Sequence, residues 1–419
     1  MRIAILFGAL ALARAGAQVP RPSPSLTEIA KAGVNSCPAH VVTAWARIGA
    51  GGRIFCAKDA SRPAILLVHG LHQDITTWTA PSAVGYSYDP RTPSAERIED
   101  SHTTPGVGPY KLAVSEWLYG TSKTEWDKAS NWFDYLAGLG FTVAAWSQPG
   151  LSFTDAMPSA MAAFDSLVAE TRERNPAAPP PVALLGHSRG GLVIRKILKD
   201  RRTSPEIGRV KWVVTLHTPH RGSELAQWPG RLVAETMDLM DCCAPPTLTA
   251  PLKQELRNVV TEAMRPMTKL LVDFESRELT PDGPLLRDLA AGETALPGAK
   301  YYTFGGTNPA FFHVYLWTFD AMSSVPQYKN LSQYFVWHAA PIELGPVSPV
   351  LDKIRPFVRE VKAGYGDGLV TDASARLPWS THFTDQLNHA QVLWNRPLQT
   401  QVARLIDPML GRALVGPRP

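Results

Sequence analysis

The sequence predicts an α/β protein built on a mostly parallel, doubly wound sheet with helical insertions. Three observations carry this. Strand-length segments recur at 64–68, 141–146, 182–185, 210–216 and 300–304, those at 64–68 and 182–185 being continuous apolar runs. Helical periodicity lies between some of them, as at 125–138, where Trp126, Trp132, Phe133 and Leu136 form an apolar stripe. Glycine-bearing turns end the strands, as in His69-Gly70-Leu71 and Gly186-His187-Ser188-Arg189-Gly190. Strand–helix–strand alternation through 64–225 is the pattern of a parallel sheet.

A chain of 419 residues can bury a large core, and 45% hydrophobic with 19% charged residues excludes a disordered chain. Residues 1–17, MRIAILFGALALARAGA, combine an early Arg2, an apolar run and a small-residue site ending at Ala17. This is the pattern of a secretory signal peptide, so export to the periplasm or medium is expected. Removal of the leader lowers the net charge from +5 to +3, too small an excess to indicate nucleic acid. No later run is apolar enough for a transmembrane helix. In an oxidising compartment Cys37 and Cys56 can bridge and clip an N-terminal hairpin. Cys242 and Cys243 are adjacent, and their pairing stays open.

In chain order, residues 18–26 form a proline-bearing lead-in to one domain spanning 18–419. Residues 41–46 and 53–57 read as strands around a glycine turn. Residues 72–124 are too long for a simple connection and form a first insertion. A second spans 224–299, where Leu252, Leu256, Val259, Ala263, Met267, Leu270 and Phe274 repeat at helical spacing, as in a lid or cap helix kinked at Pro266. A third, 308–362, is dense in aromatics between Phe311 and Trp337, which either line an acyl pocket or form a cap core.

The chemistry centres on Pro181 to Lys196, PVALLGHSRGGLVIRK. A strand, the pattern G-x-S-x-G and a helix succeed one another, with Leu192, Val193, Ile197 and Leu198 on the helix's apolar face. A sharp strand-to-helix turn raises the Ser188 hydroxyl above the sheet and aims the Arg189 N–H at an attacked carbonyl oxygen. The strand-terminal His69-Gly70 places the Leu71 N–H as a second oxyanion donor. In such sites the acid and then the base come after the serine in sequence. Asp367 lies in the glycine-flanked turn Gly366-Asp367-Gly368, a context that Asp372 and Asp385 lack. His389 lies ahead of a helix-like stretch at 391–398. Ser188, Asp367 and His389 are therefore the expected triad. His217 and His220 read as a polar strand-end loop, since no third metal ligand accompanies them, and no Cys/His spacing resembles a zinc site.

Four segments resemble the secreted bacterial triacylglycerol lipases of the α/β-hydrolase superfamily: LVHGL at 67–71, GHSRGGL at 186–192, TPHRGSE at 218–224, and GDGLV at 366–370 with NHA at 388–390. The resemblance implies an α/β-hydrolase fold, the same triad, Leu71 and Arg189 as oxyanion amides, and a lid after TPHRGSE. It also implies ester or lipid substrates, met at a lipid–water interface. Many such lipases hold a structural calcium through an aspartate two residues after the triad histidine. Here that position is Gln391, and a neutral amide is a weak calcium ligand, so no cofactor is expected. Ala373 stands where many of them carry a disulfide cysteine. A short-chain esterase, polyester depolymerase, phospholipase or acyltransferase would use the same triad. A non-catalytic binding ectodomain would be expected to lack one of its members.

Overall fold

Strands β2 (Ala64–Val68) and β5 (Val182–His187) form the centre of the fold, and every residue of both is buried. In this computed structural model the described residues are 37–71, 73–81, 131–147, 152–227, 277–309 and 358–410, with positions 250, 254 and 257 and the strands at 110–115, 313–321 and 335–342. The side chains of β2 and β5 alternate across the sheet as the two-residue strand period requires. Ala64, Leu66, Val68, Val182 and Leu184 face one apolar cluster, whereas Ile65, Leu67, Ala183 and Leu185 face the other.

Helices supply the two outer layers. On the first face α4 (Phe153–Arg174) and α5 (Arg189–Asp200) bury Phe164, Leu167, Leu192, Ile194 and Ile197 against the sheet. On the second, α3 (Trp132–Gly138) and α8 (Arg396–Ile406) bury Trp132, Leu136, Leu398, Val402 and Ile406. Side-chain N-caps start α4 and α8. The Ser152 hydroxyl accepts the Asp155 N–H at 3.1 Å, and Asn395 accepts the Leu398 N–H at 3.0 Å.

The main sheet runs β1-β4-β2-β5-β6-β7-β10, with β1 (Arg53–Phe55), β4 (Thr142–Ala145), β6 (Val210–Leu216), β7 (Lys300–Gly306) and β10 (Thr381–Asp385). Of its pairs, only β1–β4 is antiparallel. From β2 the chain goes to β4 on one side and then crosses to β5 on the other. The order thus reverses between β2 and β5, the place where open parallel sheets gather ligands beyond their C-terminal strand ends. A separate antiparallel sheet joins β3 (Tyr110–Ser115), β8 (His313–Ala321) and β9 (Phe335–Ile342).

Two expectations are corrected, and one stretch gains an element. Residues 41–46 belong to helix α1 (Ala39–Arg47), not to a strand, because Val41 and Trp45 at i and i+4 are the buried positions. The Cys37–Cys56 disulfide therefore ties the start of α1 to the end of β1 rather than clipping a hairpin. The stretch 147–174, given no element from sequence, carries most of its length as α4. The leader at 1–17, the helical repeat from Leu252 to Phe274, Cys242, Cys243 and the side chains between Phe311 and Trp337 lie outside the described residues. Among the described residues no helix is long and apolar enough to cross a membrane.

Candidate active site

Ser188 stands between β5 and α5 with φ 54° and ψ −131°, a conformation disfavoured for an L-residue and held by its surroundings. Its N–H donates to the Leu216 carbonyl at 2.9 Å. The turn is so close to β2 that a Cβ on Gly190 would lie 2.2 Å from the Val68 carbonyl oxygen. A Cβ on Gly70 would lie 2.8 Å from the Cβ of Ser188, so the end of β2 passes directly beside the serine. Ser188 is half-buried, and Leu71 and the whole Arg189 side chain are buried. Arg189 opens α5, with its guanidinium 3.9 Å from Glu278.

Asp367 and His389, 22 residues apart, are hydrogen-bonded: the His389 Nδ1–H donates to Asp367 Oδ2 at 2.8 Å. The other carboxylate oxygen accepts the N–H groups of Leu369 (2.8 Å) and Val370 (2.7 Å), which fixes the carboxyl in its turn. The His389 N–H also donates to the Asp367 carbonyl at 3.0 Å, joining the two loops through the backbone. The loop of His389 is closed on itself. Asn388 Oδ1 accepts from Ala390 N–H and Gln391 N–H, and Gln391 Oε1 accepts the Asn388 N–H at 3.0 Å. The amide at the position where the lipases carry an aspartate thus braces the histidine loop. The imidazole of His389 lies 4.9 Å, centroid to centroid, from that of His187, the residue preceding Ser188. His187 Nε2–H donates to the His389 carbonyl at 2.9 Å. The Ser188 turn and the Asp367–His389 pair therefore share one wall.

Sequence reasoning missed four participants. Gln73 Oε1 accepts the Gly70 N–H at 2.8 Å, and its amide lies 3.1 Å from His187 Nδ1 beside the elbow. Asn388, which closes the histidine loop, is the second. His217, after β6, has φ 50° and places Nδ1 2.8 Å from Asp367 Oδ2 and Nε2 3.3 Å from Asp385 Oδ2. Asp385, at the end of β10, is the fourth. None has a local signature that marks a role in this site. His217 and His220 also diverge: the His220 ring meets Thr215 Oγ1 at 2.9 Å. Asp372, for its part, pairs with His382 at 2.8 Å in a second His–Asp contact that also takes up the Thr384 hydroxyl.

Burial would raise the pKa of Asp367, but His389 and His217 outweigh it and hold the carboxyl well below the usual range. Burial would lower that of His217, yet Asp385 and Asp367 hold it up at about 9. His69, stacked on Trp146 at 4.6 Å, is pushed down to about 4 by burial. Burial likewise holds His187 and His220 well below 6.5. Histidines kept neutral stabilise the fold above their unfolded pKa near 6.5, and that stability is lost as pH falls. The raised His217 acts oppositely: its contribution is complete below 6.5 and lost as pH climbs towards 9. The thermal midpoint should therefore peak near neutrality and fall towards both pH 4.5 and pH 9. Calorimetry across that range checks this, and a midpoint flat between pH 7 and pH 4.5 contradicts it.

His217, Asp367 and His389 each offer one ligand atom within 4.8 Å of the others, the one such grouping among the described residues. Both imidazoles, however, approach one carboxylate oxygen at 2.8 Å, the spacing of N–H···O contacts. Ligands about 2.0–2.1 Å from a tetrahedral zinc stand roughly 3.3 Å apart. The geometry thus suits protons between these atoms better than a metal.

A sheet of this order with such an elbow after its central strand defines the α/β-hydrolase fold. No family model matches the chain, and no curated protein does. Among solved structures, it is similar to the mature form of a Bacillus licheniformis lipase at 16% identity, over 85% of this chain and 93% of that one, with a TM-score of 0.36. A metagenomic carboxyl esterase matches at 14% identity, over 85% of this chain and 78% of that one, with a TM-score of 0.33. A Rhodococcus esterase matches at 14% identity, over 85% and 93% respectively, with a TM-score of 0.34.

Proposed function

We propose that this chain is a secreted serine carboxylic-ester hydrolase, of the triacylglycerol lipase or long-acyl esterase type. The observation that carries the reading is the 2.8 Å Asp367–His389 pair sharing a wall with the strained Ser188 elbow. Ser188 Oγ attacks the ester carbonyl carbon while His389 Nε2 takes the hydroxyl proton. The carbonyl π electrons move onto oxygen, facing the Leu71 and Arg189 amides. Collapse of the tetrahedral adduct breaks the bond to the alcohol oxygen, which leaves with the proton from His389. Water then repeats the sequence on the acyl-enzyme, releasing the acid and restoring Ser188. Asp367 holds the His389 proton on Nδ1 and stabilises the imidazolium. Losing one oxyanion donor would cost about 3–4 kcal/mol of barrier. No cofactor enters this scheme.

The Cys37–Cys56 disulfide supports an oxidising compartment and thus export with removal of residues 1–17. A fluorophosphonate probe tests the chemistry. We expect labelling of the wild type that is lost in Ser188→Ala, and an intact adduct mass lacking the leader. Folded wild type that does not label defeats the hydrolase reading. Hydrolysis of p-nitrophenyl esters from two to sixteen carbons, with emulsified triglyceride alongside, tests the substrate class. Activity confined to acetate defeats the lipase assignment alone.

A further inference from the structure

We propose that His217 is a positioning residue of this site: as an imidazolium clamped between Asp385 and Asp367, it fixes the carboxylate that orients His389 and offsets part of its charge. The inference rests on the hydrolase reading of Ser188, Asp367 and His389.

Among the described residues only three non-glycines have positive φ: Ser188, His217 and Asp282. An imidazole at φ 50° is maintained against a local cost of about 1 kcal/mol or more, which the surroundings must over-determine. They do so. The backbone N–H of His217 donates to the Phe304 carbonyl at 2.9 Å, and the ring is fully buried. A Cβ on Gly306 would lie 2.4 Å from its Cε1 and 2.8 Å from the Cβ of Asp367, so β7 presses the ring into the carboxyl loop.

The ring's two nitrogens face two different carboxylates, at 2.8 Å and 3.3 Å. A neutral imidazole carries one N–H and would turn a lone pair towards one of them. A doubly protonated ring presents positive charge to both. The Nδ1 contact is short but poorly aligned as a hydrogen bond, so it acts through charge more than direction. The charged and titratable groups facing this pair are Asp367 from the glycine turn, Asp385 from β10, His389 from the loop after β10 and His187 from β5. The His217 and His389 rings lie 6.0 Å apart, centroid to centroid, with Asp367 Oδ2 in contact with both.

A positive charge there disfavours a second one on His389. Removing it leaves the Asp367 and Asp385 carboxylates uncompensated beside the site, a change that the acid limb of kcat/KM reads.

The test uses His217→Asn and His217→Gly, both compatible with φ 50°. With p-nitrophenyl butyrate we expect kcat to fall about tenfold or more and the acid limb to move up by roughly one pH unit. Nitrogen NMR of the wild-type imidazoles should show both His217 nitrogens protonated at pH 7.5. A neutral His217 ring at pH 7.5 overturns the proposal. So do folded variants with an unmoved acid limb, even at reduced kcat, because a ring that merely packs would not shift it. Should both variants fail to fold, the wild-type spectrum still decides. Absence of probe labelling at Ser188 would defeat the hydrolase reading and leave the His217 protonation result standing, so the two failures are separable.

Discussion

Asp367→Asn is expected to lower kcat on an activated ester by about 10⁴-fold with the fold retained. The reason lies in which atoms the turn commits. In the wild type one carboxylate oxygen is occupied by the N–H groups of Leu369 and Val370, leaving Oδ2 for His389. An asparagine must keep its single oxygen on those two backbone donors. Its NH2 group then faces His389 and donates to Nδ1. The imidazole proton is driven to Nε2, the nitrogen that should receive the serine proton, and the base is lost by tautomer. Circular dichroism and initial rates on p-nitrophenyl butyrate check this. A fall of less than tenfold in a folded variant would mean that Asp367 does not set the tautomer.

Gly190→Ala is expected to remove both activity and stability. Its Cβ would lie 2.2 Å from the Val68 carbonyl oxygen and 2.6 Å from that of His69. These are backbone atoms at the end of a buried central strand, and no rotamer change relieves the overlap. Either β2 separates from the elbow or α5 shifts. Both outcomes disturb the meeting of Gly70 with Ser188, and the destabilisation should reach about 3 kcal/mol or more. Gly208→Ala is the matched control, since a Cβ there meets nothing within 4 Å. Chemical denaturation of the two variants should separate them clearly. Equal midpoints would show that the β2–elbow contact is not tight in solution.

What the sequence made legible was local. The runs at β2 and the start of β5 are apolar because both faces of the sheet are covered there. Asp367 could be picked out because a glycine-flanked turn is visible in three letters. The β-branched run at Val41–Val42–Thr43 misled, because its helical burial at Val41 and Trp45 depends on the sheet beneath it. In α4, Pro158 and a row of alanines dilute the apolar period, so a helix of 22 residues went unassigned. His217 reads from sequence as a strand-end loop residue and Asp385 as a carboxylate without a glycine turn, because neither carries a local sign of the other. They meet only because β6 and β10 both flank β7, a fact of topology 168 residues apart in the chain.

The reversal of strand order between β2 and β5 has a consequence for biosynthesis. The Ser188 turn follows β5, whereas the loops of Asp367 and His389 arrive only with the segments on either side of β10. A nascent chain therefore carries the Ser188 turn before the segments that bring Asp367 and His389 beside it have been made.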